Sequence, residues 1–377
     1  MLILAAILSI FVYGMTASML GTILPDLSTR FRLTPKQNGS IALCQALGLI
    51  LSSIGVGPLI DNQGKKAALV LGLALSALAL SALPRATGFR SVAAYLFLLG
   101  TGGGIIVTAA NALGSDVDPA HRATALNLLN LFFGLGGLAT PFISANLFQR
   151  SSTRLPYLIA ALAATTVVVN VIAPIPPPTA AQSFAFSALG SVLGRPTLWL
   201  CALLLFLYVA SEVGVWNWLV QHLIAQGIPE PRALNVLSLG FALGLLLGRV
   251  AASQVLISVS GLTVISAASA CMAITTYLVL GTRDPRVAWI LTFFAGVSMA
   301  PVFPTTVAIV GDAFPRMTGT AIGIAITCSW IGLAVSSRVI GVIAAGDPKR
   351  LKKALLVLPA MSVMIVAVSL ALRAVVK

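Results

Sequence analysis

The sequence predicts an all-α membrane protein: twelve transmembrane helices in two parallel six-helix bundles. Three observations predict it. Of 377 residues, 58% are hydrophobic and 8% are charged, where soluble domains carry about 25% charged residues. Apolar stretches recur at about 20 residues, the length that crosses the hydrocarbon core as a helix. Two separated segments of the chain also repeat at a single offset.

The first six spans fall at 2–24, 39–60, 67–84, 91–113, 124–148 and 156–175. The first lacks the basic start and small-residue cleavage site of a signal peptide, so it reads as a span. Pro176, Pro177 and Pro178 then stop the sixth, because proline has no amide donor and disfavours helix before it. Residues 176–195 read as a cytoplasmic linker, within which FAFSALGSVLG has the look of a short interfacial helix. Six more spans follow at 197–221, 233–256, 262–280, 288–310, 319–344 and 354–374. The expected domains are therefore 1–175 and 196–377.

The repeat sets how the halves are oriented. Ala46-Leu47-Gly48-Leu49-Ile50-Leu51 returns as Ala242-Leu243-Gly244-Leu245-Leu246-Leu247, a shift of 196 residues. The same shift pairs Asp116 with Asp312, Pro119 with Pro315, Thr124 with Thr320 and Gly136 with Gly332. With six spans in each half, both halves enter the membrane from the same side, related by an axis along its normal.

Composition also excludes several functions. The net charge of +14 comes from single or paired basic residues between apolar runs, with one cluster at Lys349, Arg350, Lys352 and Lys353. That distribution suits loop ends at a lipid headgroup surface and not nucleic acid. Cys44, Cys201, Cys271 and Cys328 stand alone in apolar runs and there are two histidines, so neither a disulfide framework nor a metal centre is expected. No nucleophile–base or metal-hydrolase motif appears, so the chain does not read as an enzyme. No cofactor is expected.

Between spans two and three lies Gly57-Pro58-Leu59-Ile60-Asp61-Asn62-Gln63-Gly64-Lys65-Lys66. This resembles the loop signature of the major facilitator superfamily, and the span count and repeat extend that resemblance over essentially the whole chain. The resemblance implies alternating access, a latch role for Gly57, Asp61, Gly64 and Lys65, cytoplasmic termini and a monomer in a bacterial inner membrane. The second half has no copy of this loop. Thr108-Ala109-Ala110-Asn111, the run from Asn127 through Asn130 to Gly136, and Glu212 followed by Trp218 are similar to the fucose/glucose-permease-like sugar transporters. That branch places carboxylates where this chain has Gly21 and Val107, so its route for protons is missing here.

Of nine acids, Glu212 is the one deep in a span, and an intramembrane acid is functional by default. At helical spacing Tyr208, Glu212 and Trp216 share a face, while Trp218 points elsewhere. An acid beside aromatic planes would clamp a sugar, with hydroxyls donating to the carboxylate and a ring stacking on the apolar face. The same acid would serve as the coupling group for a proton or a sodium ion; otherwise it pairs with a basic residue and holds two helices in register. Asn111, Asn127 and Asn130 are amides at membrane depth, either substrate ligands or interhelical bonds. Trp330 and Thr327 are weaker substrate candidates; Gln221 and His222 read as a solvated rim. Arg249 is placed near the inner interface, and Arg338 either snorkels or pairs with an acid.

The expected function is transport of a small neutral polar solute, a monosaccharide first, because buried charge is scarce. The alternative is transport, including efflux, of lipophilic compounds or another metabolite. One count opposes the expected orientation: about 14 Lys/Arg fall in outer loops and about 8 in inner ones, the reverse of the positive-inside rule.

Overall fold

The computed structural model describes residues 1–148, 151–178, 186–344 and 348–375. All regular structure among them is helical. Among the described residues eleven helical stretches are long and apolar enough to cross a membrane, and one, Lys36–Arg85, holds two of the expected spans. The fold is the all-α membrane fold expected.

The first half runs α1 (Leu2–Phe31), α2 (Pro35–Ala82), α3 (Phe89–Val117), α4 (Arg122–Asn146) and α5 (Arg154–Ile172). A short helix, α6 (Phe186–Leu193), follows within the expected linker, of which residues 179–185 lie outside the described residues. The second half continues with α7 (Pro196–Ala225) and α8 (Glu230–Asn235), then a π-helical stretch (Val236–Ala242) leading into α9 (Leu243–Val255). It ends with α10 (Gly261–Val279), α11 (Pro285–Met299), α12 (Val302–Ala313), α13 (Thr318–Ala344), α14 (Pro348–Leu355) and α15 (Val357–Val375).

Local chemistry sets the element ends. Thr34 and Gln37 form a reciprocal capping box at the start of α2, satisfying donors that the first turn leaves open. Ser260 caps α10, and Asp284 caps α11 ahead of Pro285. Asp118, in the turn before α4, accepts from the backbone N–H of His121 and of Ala120, and these bonds hold its carboxyl below the usual range. The 48 residues of α2 do not form one straight rod: Gly64 has φ +91° and ψ 162°, a conformation open to glycine, and there the chain breaks into two spans.

Packing groups the chain into two compact units. One contains Met1–Val117, Leu129–Gly190 and Phe314–Thr327; the other contains Asp118–Leu128, Ser191–Ala313 and Cys328–Lys377. In the first, α1, α2, α3 and α5 pack together, and the core of α1 and α3 includes Met15, Met19, Ile23, Leu96 and Leu99. In the second, α7 packs on α12 and α15, and α11 packs on α9 and α10.

The sequence repeat is also a repeat of contacts. Gly48 abuts the backbone carbonyl of Phe97, and Gly244 abuts that of Phe293. Gly100 lies against the carbonyl of Gln45, and Gly296 against that of Phe241. Gly136 meets the carbonyl of Phe11, and Gly332 meets that of Phe206. Beside this last crossing, Thr140 donates its hydroxyl to the Met15 carbonyl at 3.2 Å, and Ser336 donates to the Ala210 carbonyl at 2.6 Å. Each glycine lets two backbones approach where a Cβ would collide, the small-residue packing that membrane helices depend on. The run Gly102-Gly103-Gly104 works the same way: Gly102 and Gly104 sit against α2, and Gly103 faces the Tyr13 ring.

Candidate functional site

The strongest constellation lies in the second unit, around α7. Its apolar run carries Tyr208, Glu212 and Trp216 one helical turn apart, and the structure brings these three together. Tyr208 is buried on one side of the half-buried Glu212, and Trp216 is partly exposed on the other. Phe303 from α12 lies 6.4 Å from the Tyr208 ring, and Phe241 from the π-helical stretch meets Trp216 edge-on at 5.2 Å. The Tyr208 hydroxyl closes no hydrogen bond of good geometry among the described residues, although the Glu212 carboxyl lies beside it.

The charge acting on Glu212 is Arg249, from α9. Arg249 is 5% exposed, packed within the helices of its unit. Arg338 is exposed. Buried charge is therefore not as scarce as composition suggests. A membrane-depth arginine is as costly as a membrane-depth acid, so the rule that singled out Glu212 applies equally to Arg249. The run LLLGRVAAS held that signal. Phe241 and Phe303 had none, since a phenylalanine in an apolar span looks like lipid-facing bulk.

Other candidates stand apart from this cluster. Trp218 packs over Gly341 of α13, and Trp330 is half-buried on α13. In the first unit, Asn130 donates to Asn111 at 3.0 Å, while Asn111 donates to the Val107 carbonyl at 2.8 Å. In the second, Asn127 donates to Thr305 of α12 at 3.2 Å and keeps its own carbonyl oxygen unpartnered among the described residues. All three asparagines thus make the bonds that an interhelical role requires. Thr327 is buried and donates within its own helix. Gln221 is exposed, as a rim residue is, but the His222 side chain is fully buried.

The loop residues form a second constellation, in the first unit. Asp61 accepts from the backbone N–H of Gly319 at 2.8 Å and of Thr320 at 2.9 Å, and from the Thr320 hydroxyl at 2.6 Å. The carboxylate therefore occupies the N-terminus of α13, where open amides and the helix dipole favour an anion. Gly57 makes the approach possible, because a Cβ there would lie 2.5 Å from the Thr320 Cα. Gly64 supplies the break in α2, and any side chain on it would also press on Pro178. Lys65 pairs with Asp116 at 2.5 Å.

The repeat-related position in the second unit is built differently. There Thr124 donates its hydroxyl to the Ser253 backbone carbonyl at 3.1 Å, and Arg122 pairs with Asp312. A backbone carbonyl stands where the first unit uses the Asp61 carboxylate, while Asp312 is ion-paired as its counterpart Asp116 is.

A multi-pass membrane protein, helical throughout its described residues, with glycine crossings repeated between its halves and an acid capping a distant helix, has the build of a carrier. The chain belongs to the Major Facilitator Superfamily, whose family model matches residues 6–337. That family is one of membrane transporters and not of enzymes. Among solved structures, the E. coli fucose:proton symporter FucP is similar with a TM-score of 0.84 at 18% identity, covering 98% of each chain. The proton:xylose symporter XylE follows at 0.80 and 13%, covering 97% of this chain and 94% of that one. These likenesses define the fold. In sequence, the niacin transporter NiaP of Acinetobacter baylyi is 30% identical over 157 residues, 41% of this chain and 35% of that protein. The 4-hydroxybenzoate transporter PcaK of Pseudomonas aeruginosa is 29% identical over 148 residues, 39% of this chain and 33% of that protein. The matched stretches thus span about a third of the curated relatives' length.

Proposed function

We propose that the chain moves a small organic monocarboxylate bearing a flat ring across the membrane by alternating access. The observation that carries this is the buried Arg249, whose charge acts on Glu212 and Tyr208, in a unit where Phe303 lies beside Tyr208 and Phe241 beside Trp216. A guanidinium at membrane depth is a countercharge for a carboxylate, and aromatic planes take up a ring. The niacin and 4-hydroxybenzoate relatives support the class, since both named solutes fit that description.

A second reading keeps the monosaccharide expected from the sequence. What favours it is the acid flanked by two aromatic residues on one helix face, which would take sugar hydroxyls and an apolar sugar face. In either case Asp61 is the latch, releasing the start of α13 during the cycle, with Gly57 and Gly64 permitting the fit and Lys65 fixing the loop. A proton or sodium ion drives accumulation, through Glu212. The termini face the cytoplasm of a bacterial cell, and the protein acts as a monomer.

The test is uptake into proteoliposomes of labelled nicotinate, 4-hydroxybenzoate and a panel of monosaccharides, under imposed proton and sodium gradients. Saturable nicotinate or 4-hydroxybenzoate uptake, competed by the other acid and not by sugars, is expected. Sugar uptake with no carboxylate uptake overturns the first reading in favour of the second.

A further inference from the structure

The link from α13 to α15 carries a helix that the repeat does not require. In the first half, α4 is joined to α5 through residues 147–153, with no helix among the described ones. At the matching place in the second half, α14 (Pro348–Leu355) is set between the two spans. Its residues divide by face. Leu351, Ala354 and Leu355 share one side of the helix and are buried. Arg350, Lys352 and Lys353 are exposed, and neither lysine forms an ion pair among the described residues.

The apolar side of α14 packs on α7, the helix of Tyr208, Glu212 and Trp216. Leu355 lines a cavity together with Leu219 of α7, Leu280 at the end of α10, Thr292 of α11 and Leu358 of α15. The helix thus sits where these spans end, above an incompletely filled space. Tyr277 and Trp289, exposed near the adjoining ends of α10 and α11, mark the depth of this end in the bilayer, because amphipathic rings collect at the headgroup boundary. The turn between those two helices exposes Arg283 and Arg286, also without ion pairs among the described residues. The acid between them, Asp284, caps α11. A helix with one apolar face buried in protein and lysines on the other, at headgroup depth, meets anionic lipid with complementary charge.

We propose that the exposed face of α14 is a binding site for the headgroups of anionic phospholipids, and that bound lipid holds α14 down on the end of α7. Lys352 and Lys353 take the lipid phosphate, and Arg283 and Arg286 add charge of the same sign at that end of the unit. The site lies within the second unit and is independent of the cargo. Basic residues at this end then answer to lipid as well as to topology.

The test mixes the purified full chain in detergent with phosphatidylglycerol or phosphatidylcholine and reads the thermal midpoint. Phosphatidylglycerol is expected to raise it by at least about 2 °C and phosphatidylcholine to leave it unmoved, since a ligand of the folded state stabilises by mass action. The shift is expected to vanish in a Lys352→Gln, Lys353→Gln double variant and to persist in Lys352→Arg, Lys353→Arg. Hydrogen exchange of the 348–356 amides is expected to slow with phosphatidylglycerol in the unsubstituted chain, a readout that stands even if the glutamine variant fails to fold. A full shift in the glutamine variant, or an equal shift with phosphatidylcholine, overturns the site. The same shift from inorganic phosphate alone overturns lipid as its occupant. Unchanged exchange at 348–356 overturns the hold on α14.

Discussion

Glu212 and Arg249 show why single residues have to be weighed against their solvent. In water each would be an ordinary surface charge. At membrane depth the two charges act on each other, and removing Arg249 takes away a field that favours the Glu212 carboxylate. Arg249→Gln is therefore expected to lower the thermal midpoint and abolish carboxylate uptake, measured on the same preparation by unfolding in detergent and by flux. Arg249→Lys keeps the charge but not the planar fork, and reduced uptake with near-normal stability is expected of it. Uptake at the full rate in Arg249→Gln would remove this residue from the site. Asp61 is a second case. Its carboxylate accepts three hydrogen bonds from the start of α13. Asp61→Asn forfeits charge-assisted bonds worth about 1.5–3 kcal/mol each, and the substitution is expected to speed modification of a cysteine placed at Thr318. An unchanged modification rate would show that the carboxylate holds nothing.

Among the elements, the glycine crossings make a sharper prediction than any propensity. Gly48 and Gly244 occupy equivalent crossings, each against a phenylalanine carbonyl, so Gly48→Ala and Gly244→Ala are expected to destabilise by similar amounts. Forcing a methyl into such a contact costs about 1–3 kcal/mol. Gly55, in the same helix as Gly48, has nothing within 4 Å of the place a methyl would take, and Gly55→Ala is expected to be neutral or stabilising. Thermal unfolding of the three variants checks this; a cost at Gly55 equal to that at Gly48 would refute the account. Much of this level was legible from the letters alone. The offset of 196 residues led directly to pairs that share contacts, because a backbone collision leaves no substitute for glycine. The break in α2 at Gly64 was legible for the same reason. What stayed hidden depended on distant elements: that Asp61 lands on Gly319 and Thr320, and that Phe241 and Phe303 close around α7. No spacing along one helix encodes a contact made by another.

At the scale of the whole molecule, class was readable and cargo was not. Composition and span length report on the bilayer as solvent, which acts on every residue, whereas the solute meets a handful. Weighing the acids without giving the arginines equal weight tilts the sequence toward a neutral sugar. Orientation belongs here as well. Cytoplasmic termini put the basic side chains of Lys352 and Lys353 outside, against the usual bias of positive charge. Single cysteines at Lys66 and Lys352, probed with an impermeant thiol reagent on intact cells, decide it. Labelling at Lys352 and protection at Lys66 is expected, and the reverse pattern would invert the molecule.

The main-chain nature of the repeated crossings has a consequence for divergence. A contact between two backbones does not depend on the side chains around it, provided that one small residue stays at each crossing. Sequence can therefore drift almost freely between those points without disturbing the path of the helices. This accounts for two halves that share contacts but few identical letters. It also accounts for a fold held in common with a fucose:proton symporter at 18% identity over 98% of both chains. A scaffold fixed at so few positions leaves its remaining side chains open to selection, so close kin in architecture need share no cargo.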